Sequence, residues 1–453
     1  MRAARGSTEP AAKGALPGRP AMGIDIGTSA IRAALVAPDG RPVAMEAYRF
    51  APHELREPAA WRRGLSAVLQ GLGGLHGVGA IAVDGTSGTL LGVDAKGEPV
   101  GPPIMYDERV DDDDLVARLD AHAPVGATAR GGGSGAARAA VLARRRNVAR
   151  LVHQADWIAG LLTGRFDLSD ETNALKTGYD PVARAWPDWL GRAGLPVDRL
   201  PRVLPVGAVF GPALGKVAAS CGVSASAVVV AGATDGCASF LATGASAPGE
   251  GVTALGSTLV IKLLSDRPIT DPASGVYSHR VGDMWLAGGA SNSGGRVLAA
   301  EFDAAEIEAL SARIAPAADP GGEFYPLPAP GERFPINDPA LAPVMPATDD
   351  PVMRLHGLLH GMARIEAMGY ARLTALGAPA LARVLSVGGG AGNAVWSALR
   401  ERQLGVPVLR AHETEAALGT ARIALSHLLG TPLGGMRDGG GPLDRALPDP
   451  LPA

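Results

Sequence analysis

Four short stretches of the chain join small residues to a carboxylate or an amide, and each could hold a phosphate, a metal ion or a sugar hydroxyl. In Asp25-Ile-Gly-Thr-Ser29 a carboxylate ends an apolar run, and the chain turns through Gly27, Thr28 and Ser29, whose backbone N–H groups can point at one oxyanion. Asp25 beside such a turn could hold Mg²⁺ through water, while the plainer reading is a hairpin turn with Asp as its capping residue. Ala233-Thr-Asp-Gly236 follows the apolar run Val228–Gly232 and precedes an apparent helix, so Asp235 would stand at the C-terminal end of a strand, where open α/β sheets bind ligands. An isolated Asp there also serves as a helix N-cap. In Asp84-Gly-Thr-Ser-Gly88, Asp84 and Ser87 could hydrogen-bond sugar hydroxyls or simply form the turn. Ser386-Val-Gly-Gly-Gly-Ala-Gly-Asn393 lets a flat ring or a phosphate approach the backbone, with a simple β–α turn as the alternative.

Taken singly, none of these decides anything. Together they are four Gly-rich turns, each after a buried strand and bearing Asp or Asn, and independent structural turns would not repeat that way. The set favours nucleotide-dependent phosphoryl transfer. Other chemistries lack their residues: there is no G-x-x-x-x-G-K-[ST], no G-x-S-x-G and no paired His spacing of the zinc kind apart from His356 and His360. Those two histidines lie on a periodic helix, with surface or boundary positions expected.

The elements that must position these residues are legible in the patterning. Met22–Val36, the turn Pro38-Asp39-Gly40 and the run to Phe50 read as a β-meander, and Val252–Leu264 with Gly275–His279 and Met284–Ala287 reads as a second. Gly27-Thr28-Ser29 is echoed by Gly256-Ser257-Thr258, which suggests two similar halves facing one another. Ala80–Asp84, Ala227–Ala231, Arg383–Val387 and Pro407–Arg410 suit buried parallel strands. Leu355, Leu358, Leu359, Met362, Ile365, Met368 and Leu376 recur at helical spacing. The expected organisation is an α/β chain with a tail over 1–20, a first domain over 21–242, a second over 243–430 and a tail over 431–453.

Composition narrows the partners. With 453 residues, 47% apolar and a formal charge of -3, the chain is long enough for two globular domains and offers no broad basic field for nucleic acid. Arg144–Arg146 reads as a solvated helix face, and Asp111–Asp114 as the start of a helix. Two cysteines imply neither a disulfide scaffold nor a four-ligand metal site. No apolar run is long enough to span a membrane, and residues 1–20 lack the apolar centre of a secretion signal, so a cytoplasmic protein is expected. Oligomeric state, monomer or homodimer, is not legible.

The same residues resemble the FGGY carbohydrate kinases, most closely their ribulose-kinase-like branch, often labelled xylulokinase-like. The resemblance runs from about Ala21 to Leu429 and rests on Gly23-Ile-Asp-Ile-Gly-Thr-Ser29, Ile81-Ala-Val-Asp-Gly-Thr-Ser-Gly88, Gln154-Ala-Asp-Trp157, Asn173-Ala-Leu-Lys-Thr-Gly-Tyr179, Gly232-Ala-Thr-Asp235, Leu255-Gly-Ser-Thr258, Gly288-Gly-Ala-Ser-Asn292 and Gly388-Gly-Gly-Ala-Gly-Asn393. It implies two ribonuclease-H-like domains of the actin-like ATPase superfamily with a cleft between them, sugar against the first and ATP mostly against the second. It further implies that Asp235 is the general base, that Asp25 lies near Mg²⁺ and phosphate, and that Thr28, Ser257 and Thr258 lie in phosphate loops. Gly389, Gly390 and Asn393 would face adenine, and Asp84 and Ser87 the sugar. The implied reaction is ATP-dependent phosphorylation of a ketopentose, ribulose before xylulose or a polyol such as glycerol. The alternative from another class is a catalytically silent, nucleotide-binding actin-fold protein. Two departures bear on the sugar: Gly236 stands where relatives commonly carry Ser, and Arg130–Arg146 is rich in Gly, Ala and Arg where relatives have a bulkier helix start.

Overall fold

A computed structural model describes residues 18–435. The expected tails lie mostly outside that range, but their inner ends are packed. Arg19 Nε donates to the Gly77 carbonyl at 2.9 Å and the Pro20 carbonyl accepts from Gly79 N, while Leu433 is buried.

The first meander forms as the patterning predicts. β1 (Ala21–Ile26), β2 (Ala30–Val36) and β3 (Pro42–Arg49) are antiparallel neighbours, and β4 (Ala80–Gly85) lies parallel to β1. An insertion then carries the ribbons β5 (Leu90–Val93) with β6 (Arg150–His153) and β7 (Leu168–Asp170) with β8 (Arg202–Leu204). β9 (Val209–Pro212) and β10 (Val228–Thr234) complete a sheet of order β3-β2-β1-β4-β10-β9. The second half repeats the plan with β11 (Glu250–Leu255), β12 (Leu259–Ser265), β13 (Tyr277–Val281), β14 (Met284–Ser291), β15 (Arg383–Val387) and β16 (Val408–Arg410), in the order β13-β14-β12-β11-β15-β16. In each half a hairpin (β1–β2, β11–β12) is followed by a parallel neighbour (β4, β15), so the two Gly-Ser/Thr turns occupy corresponding places.

One face of the first sheet packs on the helices Pro58–Leu72 and Gln154–Thr163. The other face packs on Asp235–Ala242 and on the last long helix, Ala416–Leu429, and the same core takes in Val252, Leu264, Leu286 and Leu385 of the second sheet. The boundary expected near 242 falls in the connection between a helix and β11. Ala416–Leu429, placed with the second half by sequence, instead crosses β1, β2, β4 and β10 of the first sheet. Its approach is close enough to demand glycine, since a Cβ on Gly23 would lie 2.0 Å from the Ala417 carbonyl oxygen.

The long helix is Pro351–Ala375, with Leu355, Leu358, Leu359, Met362 and Ile365 buried as the spacing predicts. His356 is buried too, contrary to the surface or boundary position expected. Asp112 caps the helix Asp113–His122 by accepting from Leu115 N. The arginine run is not a helix face: the helix Gly135–Ala143 ends before it, and Arg145 turns back onto the Val100 carbonyl at 3.2 Å.

Candidate active site

β1 delivers Asp25 to the edge of the cleft, and its hairpin turn closes with Gly27 N donating to the Ala30 carbonyl at 3.0 Å, leaving Thr28 and Ser29 exposed. The hairpin register sets Arg32 opposite Asp25, and Arg32 Nη1 lies 3.1 Å from Asp25 Oδ2. The parallel register sets Asp84 opposite Asp25 on the other side. Burial holds the Asp25 carboxyl above the usual carboxylate range, although Asp84 and Arg32 both pull it down.

Asp84 corrects the sequence reading. It is wholly buried, and one carboxyl oxygen accepts from the Thr420 hydroxyl of the last helix. Burial and the adjacent Asp25 charge raise it well above the usual range. The Asp84 and Asp25 carboxyls also interact with each other, in the sense that favours the proton on Asp84 and the charge on Asp25. A sugar hydroxyl cannot reach it; its neighbours are Thr420 and Asp25. Ser87 is half-buried and its hydroxyl has no partner among the described residues.

Asp235 is the first residue of the Asp235–Ala242 helix, with Thr234 in the N-cap place, and its Oδ1 accepts from Gly236 N at 2.7 Å. Burial raises its carboxyl above the usual range; the Gly236 N–H, Lys262 and Lys176 oppose that rise, and Asp25 adds to it. Asp25, Gly27, Thr28 and Asp235 all line one cavity of ≈ 350 Å³, joined by Arg32, Thr86, Tyr106, Ser239 and Thr414–Ala416. The segment 130–146 supports this cavity from behind. Arg138, almost fully buried, donates to the carbonyls of Gly88 (3.0 Å), Tyr106 (2.5 Å) and Glu108 (3.0 Å), tying the turn after β4 to the Tyr106 loop.

The second turn, Gly256–Thr258, is exposed and backed by Gly295 N donating to the Gly256 carbonyl at 2.8 Å and Arg296 N donating to the Ser257 carbonyl at 3.1 Å. Beside it, the loop after β15 carries Gly389 and Gly390. Asn393 is committed locally: it caps the helix Ala394–Leu404 by accepting from Trp396 N, and its amide donates to Ser311. Neither stretch lines the Asp235 cavity.

The donor set suits a hard cation. Two carboxylates, Asp25 and Asp235, face one cavity beside a turn rich in N–H groups, and a Mg²⁺ ion typically takes one or two carboxylates, several waters and substrate phosphates. No cluster of three or more His, Cys, Asp or Glu placed to hold a metal occurs among the described residues.

Sequence reasoning missed Arg32, Tyr106, Lys176 and Lys262. Arg32 was recoverable, because a hairpin closing through Gly27–Ser29 sets it across from Asp25. The others come from distant segments.

The comparisons with known proteins bear on the family and the fold. Residues 251–428 match the C-terminal domain of the FGGY family of carbohydrate kinases. A gluconokinase from Bacillus licheniformis is 32% identical over 168 residues, 33% of this chain and 32% of the relative. The match thus spans about a third of that relative's length. A xylulose kinase structure from Rhodospirillum rubrum superposes with a TM-score of 0.77 at 25% identity, covering 91% of this chain and 93% of that one. The Plasmodium falciparum glycerol kinase with ADP superposes with a TM-score of 0.77 at 14% identity, covering 91% and 90%. The fold is the actin-like ATPase fold in two α/β halves.

Proposed function

We propose, from the premise that this chain belongs to the FGGY family of carbohydrate kinases, that it moves the γ-phosphoryl group of ATP onto a hydroxyl of a small polyhydroxylated acceptor. The observation that carries this reading is that Asp235, Asp25 and the Gly27–Thr28 turn share one cavity at the strand ends of the first sheet.

Asp235, with its carboxyl raised but still free on one oxygen, accepts the acceptor's hydroxyl proton as that oxygen bonds to the γ-phosphorus and ADP departs. N–H groups of Thr28, Ser29, Ser257 and Thr258 hold the phosphates, and the Gly389–Gly390 loop takes the adenine side. Asp25, oriented by Arg32 and flanked by Asp84, would hold Mg²⁺ through water; the ion would supply charge neutralisation of the phosphates. Closing two halves, divided near residue 242, would exclude water that otherwise takes the phosphoryl group. The reaction needs ATP and a free sugar together, as the cytoplasm supplies; among the described residues no helix is long and apolar enough to cross a membrane.

The acceptor expected from sequence is D-ribulose, supported by the motif resemblance; proteins like this one are named for gluconate, xylulose and glycerol. The test is ADP formation over ribulose, xylulose, gluconate and glycerol. Acceptor-stimulated ADP release supports the kinase. ATP binding with no stimulation by any polyol would instead support the silent, nucleotide-binding reading.

A further inference from the structure

Lys262, Gly288 and Tyr277 stand in one cross-strand row of the second sheet, through the pairings Lys262↔Gly288 and Tyr277↔Gly288. Gly288 brings no side chain to the row, and a cavity of ≈ 320 Å³ opens there, walled by Lys262, Tyr277, His279 and Arg333. No acidic residue lines it. Lys262 reaches across the cleft and donates to the carbonyl of Gly236, the residue after Asp235. From the first half, Lys176 donates to the Tyr277 hydroxyl at 2.7 Å, with its ammonium 4.3 Å from that ring's centre.

Both lysines are half-buried; the nearby carboxyl of Asp235 feels both of their charges, but no carboxylate oxygen lies within 4 Å of either among the described residues. Each ammonium has three N–H donors, of which Lys262 and Lys176 spend one apiece on the bonds above, so donors remain for an acceptor's anionic group. Gly236 leaves the room this takes: a Cβ there would lie 3.0 Å from Lys262 Nζ. Burial and the two lysines push the His279 imidazole well below its usual range.

We infer that the acceptor carries a carboxylate, that Lys262 with Lys176 binds it, and that the enzyme therefore prefers a sugar acid of the aldonate class to a neutral ketose or alditol. This rests on the kinase reading above and sets aside the D-ribulose expected from the motif resemblance.

The experiment compares matched pairs that differ only in the acid group, gluconate with glucitol and ribonate with ribitol, by ADP formation, with ribulose as the neutral ketose. The acids should exceed the alditols in kcat/KM by about tenfold to a hundredfold, the scale of one charge-assisted hydrogen bond. Lys262→Gln and, separately, Lys176→Gln should collapse that ratio without changing KM for ATP, while the exposed Lys216→Gln keeps it. Calorimetry with gluconate and no nucleotide gives a second readout, expected to show binding that Lys262→Gln abolishes. Equal or better turnover of alditols or ribulose would overturn the inference and leave the kinase reading standing. So would a Lys262→Gln effect confined to ATP, which would assign the lysine to phosphate. If no acceptor is turned over at all, the kinase reading fails, and absence of gluconate binding then sinks the lysine assignment independently.

Discussion

The hydroxyl of Thr420 donates to the carboxyl of Asp84, joining the last helix to the end of β4 across 336 positions of sequence. Both residues are fully buried, so the bond has no water to replace it. Thr420→Val should leave a buried oxygen unsatisfied and cost about 1–3 kcal/mol, while Thr420→Ser should keep most of the stability. Urea midpoints at constant slope measure this. A Val variant as stable as the parent would show that the hydroxyl does not hold Asp84.

Asp84 also sets a sign for the pH dependence of stability. Its folded-state pKa is raised, so the native chain keeps a proton that the unfolded chain releases above about pH 4. That contribution is fully present below the unfolded pKa and is lost as pH rises through the folded one. Asp84→Asn, which stays neutral throughout, should flatten the decline of stability above about pH 4. Part of the slope should remain, because Asp25 and Asp235 are raised as well. Denaturation at a series of pH values reads the slope; an unchanged slope would mean that Asp84 ionises freely.

Asp235→Asn removes the proton acceptor while keeping an oxygen for the Gly236 N–H. Turnover should fall by about two to four orders of magnitude with little change in ATP binding. In the parent, the base must be ionised, so kcat/KM should fall as pH drops through a pKa above the ordinary carboxylate value, and the variant should lack that limb. Near-normal turnover in a folded Asp235→Asn protein would remove Asp235 from the mechanism.

The second half has its own buried pair. Arg400 Nε and Nη2 meet Glu366 at 2.5 and 2.8 Å, Nη1 donates to Ser386, and Thr253 donates to the same carboxylate. Arg400→Met alone should cost about 3–5 kcal/mol by stranding Glu366, and the double variant Arg400→Met, Glu366→Leu should recover much of it. Equal losses in the single and double variants would mean that the packing, not the stranded charge, carries the cost.

The sequence by itself determined what is carried by local signals. Alternation and apolar runs placed β1, β2, β4, β10 and β15 to within a residue or two, and small residues beside Asp25 and after Asp235 marked the ends of strands. The spacing of Leu355 to Ile365 marked the long helix. Each of these depends on residues within a turn or a strand of one another, so the chain's own periodicity reports them. Hairpin closure even held Arg32 in view of Asp25.

Tertiary structure alone decided what the acidic and basic side chains do. Asp84 reads in sequence as a sugar-contacting or turn-forming residue because nothing near it says that Ala416–Leu429 will cover it, and that burial is what raises its carboxyl well above the usual range. Lys176 meets Tyr277 across 101 positions and Lys262 meets Gly236 from another sheet, so the cationic side of the cleft has no local signature. The physical reason is that ionisation and pairing depend on the dielectric and partners that packing supplies, and those come from segments whose approach no short pattern encodes.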